Sequence, residues 1–266
     1  MNDKQELNNQ IRQMTSLPSN VALLYHYTTI NALFDGIIVK KPLLNKEICL
    51  WATNCQYMND PTEIDVGNIF NKELFQYDTY EADNIKDDSF IISLSQNVDF
   101  LPMWSMYGMN GSGIMIGFDR LMLEQTENTH LLRIIYLTEK GKELFRKIKE
   151  EIYSLKKENE YDNEIFLLER FLRLSIFVGT KEPSYEYEQE ARIRVYNKSD
   201  SNIKYRLKGN LIVPYVEQYY PKSALKEIWI GPTNDMERAT QSLQTYLDHI
   251  GFHEVEIKQS KVPYRD

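Results

Sequence analysis

Cysteine is scarce: Cys49 and Cys55 are the only two in 266 residues. That is too few for a secreted disulfide framework, and neither has a His or Cys partner at zinc-finger spacing. The chain is therefore expected to work in a reducing cytoplasm. It also lacks a long apolar run. The most apolar stretch, 171–178, is interrupted by Arg173 and is far shorter than the roughly 20 residues a membrane-spanning helix needs. The start, Met1-Asn-Asp-Lys-Gln-Glu-Leu, has neither the basic nor the apolar segment of a secretory signal. Neither export nor a membrane partner is expected. Positive charge is in deficit, with 31 Lys and Arg against 39 Asp and Glu for a net charge of −8. This opposes a nucleic-acid-binding surface spread over the whole molecule but leaves room for a local basic groove. There is no internal repeat, Walker loop or GxGxxG fingerprint, so phosphate-loop and Rossmann chemistry lack support.

What is present is an ordinary globular composition, 42% hydrophobic and 26% charged, with length for one large domain or two small ones. Residues 1–20 carry an amphipathic stripe (Leu7, Ile11, Met14) ending at Pro18, which reads as a peripheral helix before a domain spanning 21–266. The pattern then predicts a strand at 21–27, a helix capped by Thr28 or Thr29, a strand at 47–52, and a loop over 53–61 whose Asp60-Pro61-Thr62-Glu63 starts the next helix. An acidic connector at 78–88 follows. Strands are expected at 89–95, at Ile114-Met-Ile-Gly-Phe-Asp, at 131–137, 191–196, 203–206, 211–213, 228–230 and 255–257, with helices around Trp104 and over 234–248. The Lys/Glu-rich stretch 139–178 reads as a helical insertion of two helices turning near 159–162, outside the sheet and removable without unfolding it. Strands mixed with helices, without regular βαβ alternation, favour an α+β fold.

Four constellations carry chemistry. Tyr25-His26-Tyr27-Thr28 lies at a strand-to-helix junction, where a His can face a cleft; its structural alternative is a core histidine with a threonine cap. Ser93 and Ser95 share one face of a strand, with Trp104 and Tyr107 downstream; hydroxyls and an aromatic plane suit a flat polar ring, or else a strand end with an aromatic core anchor. Glu186, Glu188 and Glu190 fall at period two in an extended chain, crowding carboxylates that would stabilise a sugar cation or, alternatively, form a solvated edge with Arg192 as a surface ion-pair partner. Tyr57-Met58-Asn59-Asp60-Pro61-Thr62-Glu63 is explained by turn and capping chemistry, and its carboxylates without a His are a weak metal signal.

Read in order, the blocks LYHYTT, NDPTE, SLSQN, MWSMYG with GIMIGFD, YEYEQEARI, IWIGP and SKVPYR resemble the bacterial domain-of-unknown-function family 2971 over roughly 24–265. That family has His in its W-S-H-Y block, where this chain has Met106. The block order is in turn similar to that of ADP-ribosyltransferases. This second resemblance implies a split mixed or antiparallel sheet with flanking helices, NAD as substrate, no metal, and an acceptor of unknown class, as in a toxin or defence effector. It also implies that His26 with Thr28, Ser93 with Ser95, and Tyr107 hold NAD, with Glu188 and Glu190 as the catalytic acids. Tyr27 stands where those enzymes often have Gly. Glu190, next to a rigid strand, is expected to grip the ribose; Glu190→Gln would then keep the fold and lose about 2.7–4 kcal/mol of transition-state stabilisation, while Glu186→Gln would do little. Two other readings stand beside this: an inert binding module of the same fold, and a carboxylate hydrolase of a sugar or nucleotide.

Overall fold

Runs such as Phe90-Ile-Ile and Ile114-Met-Ile suit a pleated, half-buried surface, and in the computed structural model they pair into one large sheet. The structure describes residues 3–42, 44–58, 63–75, 89–126, 128–158, 162–196 and 199–264. The expected connector at 78–88, the turn at 59–62 and the bend at 159–161 lie outside them. The strands are β1 (Leu23–Thr28), β2 (Ile48–Asn54), β3 (Ser89–Ser95), β4 (Ile114–Asp119), β5 (Thr129–Arg133), β6 (Ile135–Tyr136), β7 (Thr180–Lys181), β8 (Glu190–Tyr196), β9 (Lys204–Lys208), β10 (Leu211–Tyr220), β11 (Leu225–Ile230) and β12 (Glu256–Gln259). The stretch expected as one strand over 131–137 is divided between two sheets, β5 pairing with β8 and β6 running parallel to β7.

The large sheet runs β12-β11-β4-β1-β3-β2-β10-β9, with β8 on β3 and β5 on β8. Its described pairings are antiparallel except β11 with β12, so the α+β expectation holds. The sheet forks at β3. Strand β8 pairs along all of β3, from Ser89↔Tyr196 to Ser95↔Glu190, and takes one edge. The other edge is shared: β2 pairs near its start (Phe90, Ile91) and β1 only at its end, Tyr25↔Ser95. Between them the middle of β3 has no ladder partner on that side, and backbone groups left there must bond to something else.

The helices are α1 (Asp3–Thr15), α2 (Ile30–Ala32), α3 (Glu63–Phe75), α4 (Leu101–Tyr107), α5 (Arg120–Glu124), α6 (Glu139–Glu158), α7 (Asn163–Gly179) and α8 (Met236–His249). None of the described helices is long and apolar enough to cross a membrane. The principal core lies on the sheet and takes in Leu243 and Leu247 of α8 together with Leu24, Ile116, Phe118, Ile193 and Ile228. A second core joins α1, α3, α6 and α7 through Leu7, Ile11, Phe70, Phe145, Ile152 and Leu172. The stripe on α1 is thus buried, each large apolar side chain being worth roughly 1.5–3 kcal/mol, and Lys4 binds Asp162, the residue that caps α7. Close helix contact depends on Gly67, where a Cβ would sit 2.8 Å from the Ile176 carbonyl.

The segment at 139–178 forms two helices, α6 and α7, and the second packs onto the sheet. The last turn of α7 brings Phe177 and Val178 against Ile91, Leu132 and Ile134 of the sheet region. The Val178 carbonyl accepts a hydrogen bond from Arg192 of β8 at 2.9 Å. Removing α7 would uncover both the apolar patch and a buried guanidinium.

Candidate functional site

Pro183 opens a 3₁₀ turn (Pro183–Glu188), with Glu182 accepting from the Ser184 amide, and Gln189 then adopts a left-handed φ of 42°. The chain is therefore not extended through the three glutamates, and the period-two face expected for them does not form. Glu186 is exposed on the turn. Glu188 and Glu190 are buried, 3% and 5% exposed, one closing the turn and the other opening β8. They meet because Lys181, at the end of β7, reaches between them: its Nζ donates to Glu188 Oε2 at 2.6 Å and to Glu190 Oε2 at 3.2 Å. Arg192 completes the group, donating to Glu190 Oε1 at 2.8 Å and Oε2 at 3.0 Å. It is not the surface partner considered from sequence but is 1% exposed, and Lys181 is 2% exposed.

Two cations and two carboxylates thus balance in a low-dielectric site, where an isolated charge would be costly. Burial pushes the Glu190 carboxyl up, but Arg192 and Lys181 outweigh it and hold the group below its ordinary value. Tyr107, from α4, donates to Glu188 Oε1 at 2.8 Å; burial and that carboxylate raise its phenol well above the ordinary range, so it stays a donor. The Tyr136 hydroxyl accepts the Glu190 amide at 3.0 Å and is pushed by burial to about 12.

The fork supplies the other wall. His26 on β1 donates from Nδ1 to the Ser93 carbonyl at 3.1 Å, filling part of the gap in the β3 ladder and leaving Nε2 as an acceptor. Burial, with a contribution from Arg206, lowers the pKa of this imidazole, so it is neutral at pH 7. The Ser93 hydroxyl is buried beside the Glu190 carboxylate without a well-formed hydrogen bond. Ser95 Oγ donates to the Glu188 carbonyl at 2.7 Å and accepts the Asn97 amide at 3.0 Å, so it braces the backbone that carries the acids. All seven residues singled out from sequence, His26, Thr28, Ser93, Ser95, Tyr107, Glu188 and Glu190, line one cavity of about 300 Å³, together with Lys181, Met58 and Met106.

Trp104 faces the other way. It is fully buried, donates from Nε1 to Asp99 at 2.9 Å and meets Tyr27 edge to face at 5.0 Å. Asp99 also binds Ser260 and the Lys261 amide, which fastens the end of the chain to the same anchor. Tyr27 follows His26 because its hydroxyl joins this anchor, donating to the Asn97 carbonyl and accepting from the Phe100 amide. Met106 is half exposed and its Sδ accepts from the Tyr187 hydroxyl at 3.1 Å.

Residues 103–193 match the model of a family described as proteins of unknown function, DUF2971. The resemblance read from the ordered blocks therefore holds over this central stretch. No curated protein and no solved structure matches the chain. The DUF2971 match contains Lys181, Glu188, Glu190 and Arg192 of the buried ionic group and Tyr107 that donates to it, whereas His26, Thr28, Ser93 and Ser95 lie before it. Among the described residues no three His, Cys, Asp or Glu side chains gather in a metal-binding set; Asp60, one of the carboxylates considered from sequence, lies outside them. Sequence reasoning missed Lys181, Tyr136 and Asp99. The signal for Lys181 was its position, a charge directly behind the most apolar stretch of the chain and just before Pro183.

Proposed function

We propose that this cavity binds NAD and cleaves its nicotinamide–ribose bond, as an ADP-ribosyltransferase-like enzyme or an NAD glycohydrolase. The observation that carries the reading is the convergence of His26, Ser93, Ser95, Tyr107, Glu188 and Glu190, drawn from four separated segments, on one cavity at the fork of the sheet. The split sheet expected for such enzymes supports it as well. In this chemistry nicotinamide departs with the bonding electrons and positive charge grows on the ribose, where a carboxylate holding a ribose hydroxyl stabilises it. A carboxylate has about four lone-pair sites. Glu190 commits three of them to Arg192 and Lys181, so it is a rigid, preorganised charge. Glu188 commits two, to Tyr107 and Lys181, and has more capacity left for a ligand or for activating an acceptor. His26 Nε2 is an acceptor for a ribose hydroxyl, and Tyr107 offers its ring to nicotinamide.

One observation favours a second reading. Lys181 already stands where a substrate cation would meet the two acids, so the site is neutral before any ligand arrives, which suits a binding module without turnover. Both acids touch this one ammonium and so sit side by side, whereas a hydrolase that flanks its scissile bond needs them on opposite sides. The first test is a crystal structure of the chain soaked with NAD. The proposal requires the nicotinamide ribose within hydrogen-bond distance of Glu188 or Glu190; NAD bound elsewhere, or not bound, would reject it. Nicotinamide release then separates enzyme from binder.

A further inference from the structure

Beside the carboxylate cavity lies a second one of about 510 Å³. The two share His26, Thr28, Met58 and Ser93, so they lie side by side along one cleft wall. Where the first is built around acids, the second is lined by Arg206 and Lys208 of the edge strand β9. The acid that lines it, Asp35, is paired with Lys40 at 2.9 Å. Lys181, in the first cavity, is held by two carboxylates, whereas Arg206 has no carboxylate partner among the described residues. Its guanidinium donates to Thr53 Oγ1 at 2.8 Å, lies 5.6 Å from the Trp51 ring, and holds a buried Nε–H with no acceptor.

A half-buried guanidinium with one covered N–H unpaired and no anion beside it carries a cost the fold does not recover internally. Its planar fork matches phosphate oxygens in a bidentate manner. Gly36 preserves the arrangement, because a Cβ there would come within 3.3 Å of the Trp51 ring that supports Arg206. We infer that the Arg206 cavity is an anion subsite for the phosphoryl or pyrophosphoryl group of a ligand whose other end reaches past His26 to Glu188. The far end of the cleft is charge-balanced by Lys181 and Arg192, so Arg206 is the cation there that an incoming anion would meet without a carboxylate beside it. Naming a dinucleotide as the natural occupant rests on the NAD reading above; the anion subsite does not need bond cleavage.

The test is calorimetric titration of the full chain with ADP-ribose, inorganic pyrophosphate and, as a phosphate-free control, adenosine. Wild type is expected to bind the first two and to bind adenosine at least about tenfold more weakly, with affinity for the anions falling as salt rises. Arg206→Gln is expected to weaken ADP-ribose and pyrophosphate by about 10- to 100-fold, the range for losing charged hydrogen bonds, with Arg206→Lys recovering part of the loss. A measurement on the unaltered Arg206 guards against misfolding of the variant: pyrophosphate should change the tryptophan fluorescence of wild type, and the change should vanish in Trp51→Phe. The inference is overturned if wild type binds neither anion at millimolar concentration. It is also overturned if Arg206→Gln, with unchanged Tm, binds pyrophosphate like wild type, or if Trp51→Phe keeps the full fluorescence response. Absence of nicotinamide release with pyrophosphate binding intact rejects the NAD-cleaving reading and leaves this subsite standing. Release by wild type, with anion affinity indifferent to Arg206, does the reverse.

Discussion

Replacing Glu190 by Gln removes one charge and one acceptor oxygen from a site that water hardly reaches. In the native protein both Glu190 oxygens accept from Arg192, and one also accepts from Lys181. After the change Lys181 keeps Glu188 and Arg192 keeps the Val178 carbonyl, but the new amide NH₂ is a donor turned toward other donors. Removing one partner of a buried ion pair costs about 3–5 kcal/mol, a large part of the roughly 5–15 kcal/mol that holds a domain together. At roughly 2–4 °C per kcal/mol for a chain of this size, Tm should fall by about 10 °C. This departs from the expectation read from sequence that Glu190→Gln spares the fold. The double variant Glu190→Leu with Arg192→Met removes both charges and should recover most of the loss, because well-packed apolar groups replace buried ion pairs at little cost. The linkage has a definite sign. The folded-state pKa of Glu190 lies below its ordinary value, so its stabilisation is present above that value and disappears as pH falls through the folded one. The gap between wild type and Glu190→Gln should therefore close on acidification. Urea and thermal unfolding from neutral to acid pH measure all of this. A Gln variant within 1–2 °C of wild type at neutral pH (about 0.5 kcal/mol), or a double variant less stable than the single, would refute the reasoning.

Asp99→Ala should cost about 1–3 kcal/mol, since it removes the acceptor for Trp104, Ser260 and the Lys261 amide; hydrogen exchange should show the 258–262 segment loosening before the rest. His26 is neutral in the folded protein because burial, aided by Arg206, lowers its pKa. Its contribution is thus present above the ordinary histidine value and lost as pH falls toward the folded one, so an NMR titration of the ring should show a midpoint below 6.5, and His26→Gln should flatten stability across that window. Deleting 139–178 should abolish cooperative unfolding, because it strips the cover from Leu132, Ile134 and Arg192; a chain that still melts in one sharp transition would show that the sheet stands alone.

Local pattern made much of this molecule readable. Phe90-Ile-Ile-Ser-Leu-Ser announced β3, Thr29 capped the helix it was expected to start, and the Lys/Glu spacing over 139–158 marked a real helix. What remained hidden depended on contacts distant in sequence. The fork at β3 arises because β1 and β2 divide one strand edge, and no single strand carries that information. Extension through Glu186, Glu188 and Glu190 was overruled by Pro183 and the left-handed Gln189, which end the turn and restart the strand. Arg192 looked like an edge residue until α7 closed over it. Lys181 was missed because a lysine behind an apolar helix reads as a helix end, and its two carboxylate partners become visible only once the turn at 183–188 brings Glu188 and Glu190 back to it.

The most direct test of the central claim is nicotinamide release from NAD by purified full-length protein at neutral pH. Wild type is compared with Glu188→Gln and Glu190→Gln, below the melting temperature of each. The NAD-cleaving account predicts measurable release by wild type and a loss of about 10²- to 10³-fold in the folded variants, the scale for removing one preorganised electrostatic contact. No release by wild type, or equal release by all three proteins, would contradict it.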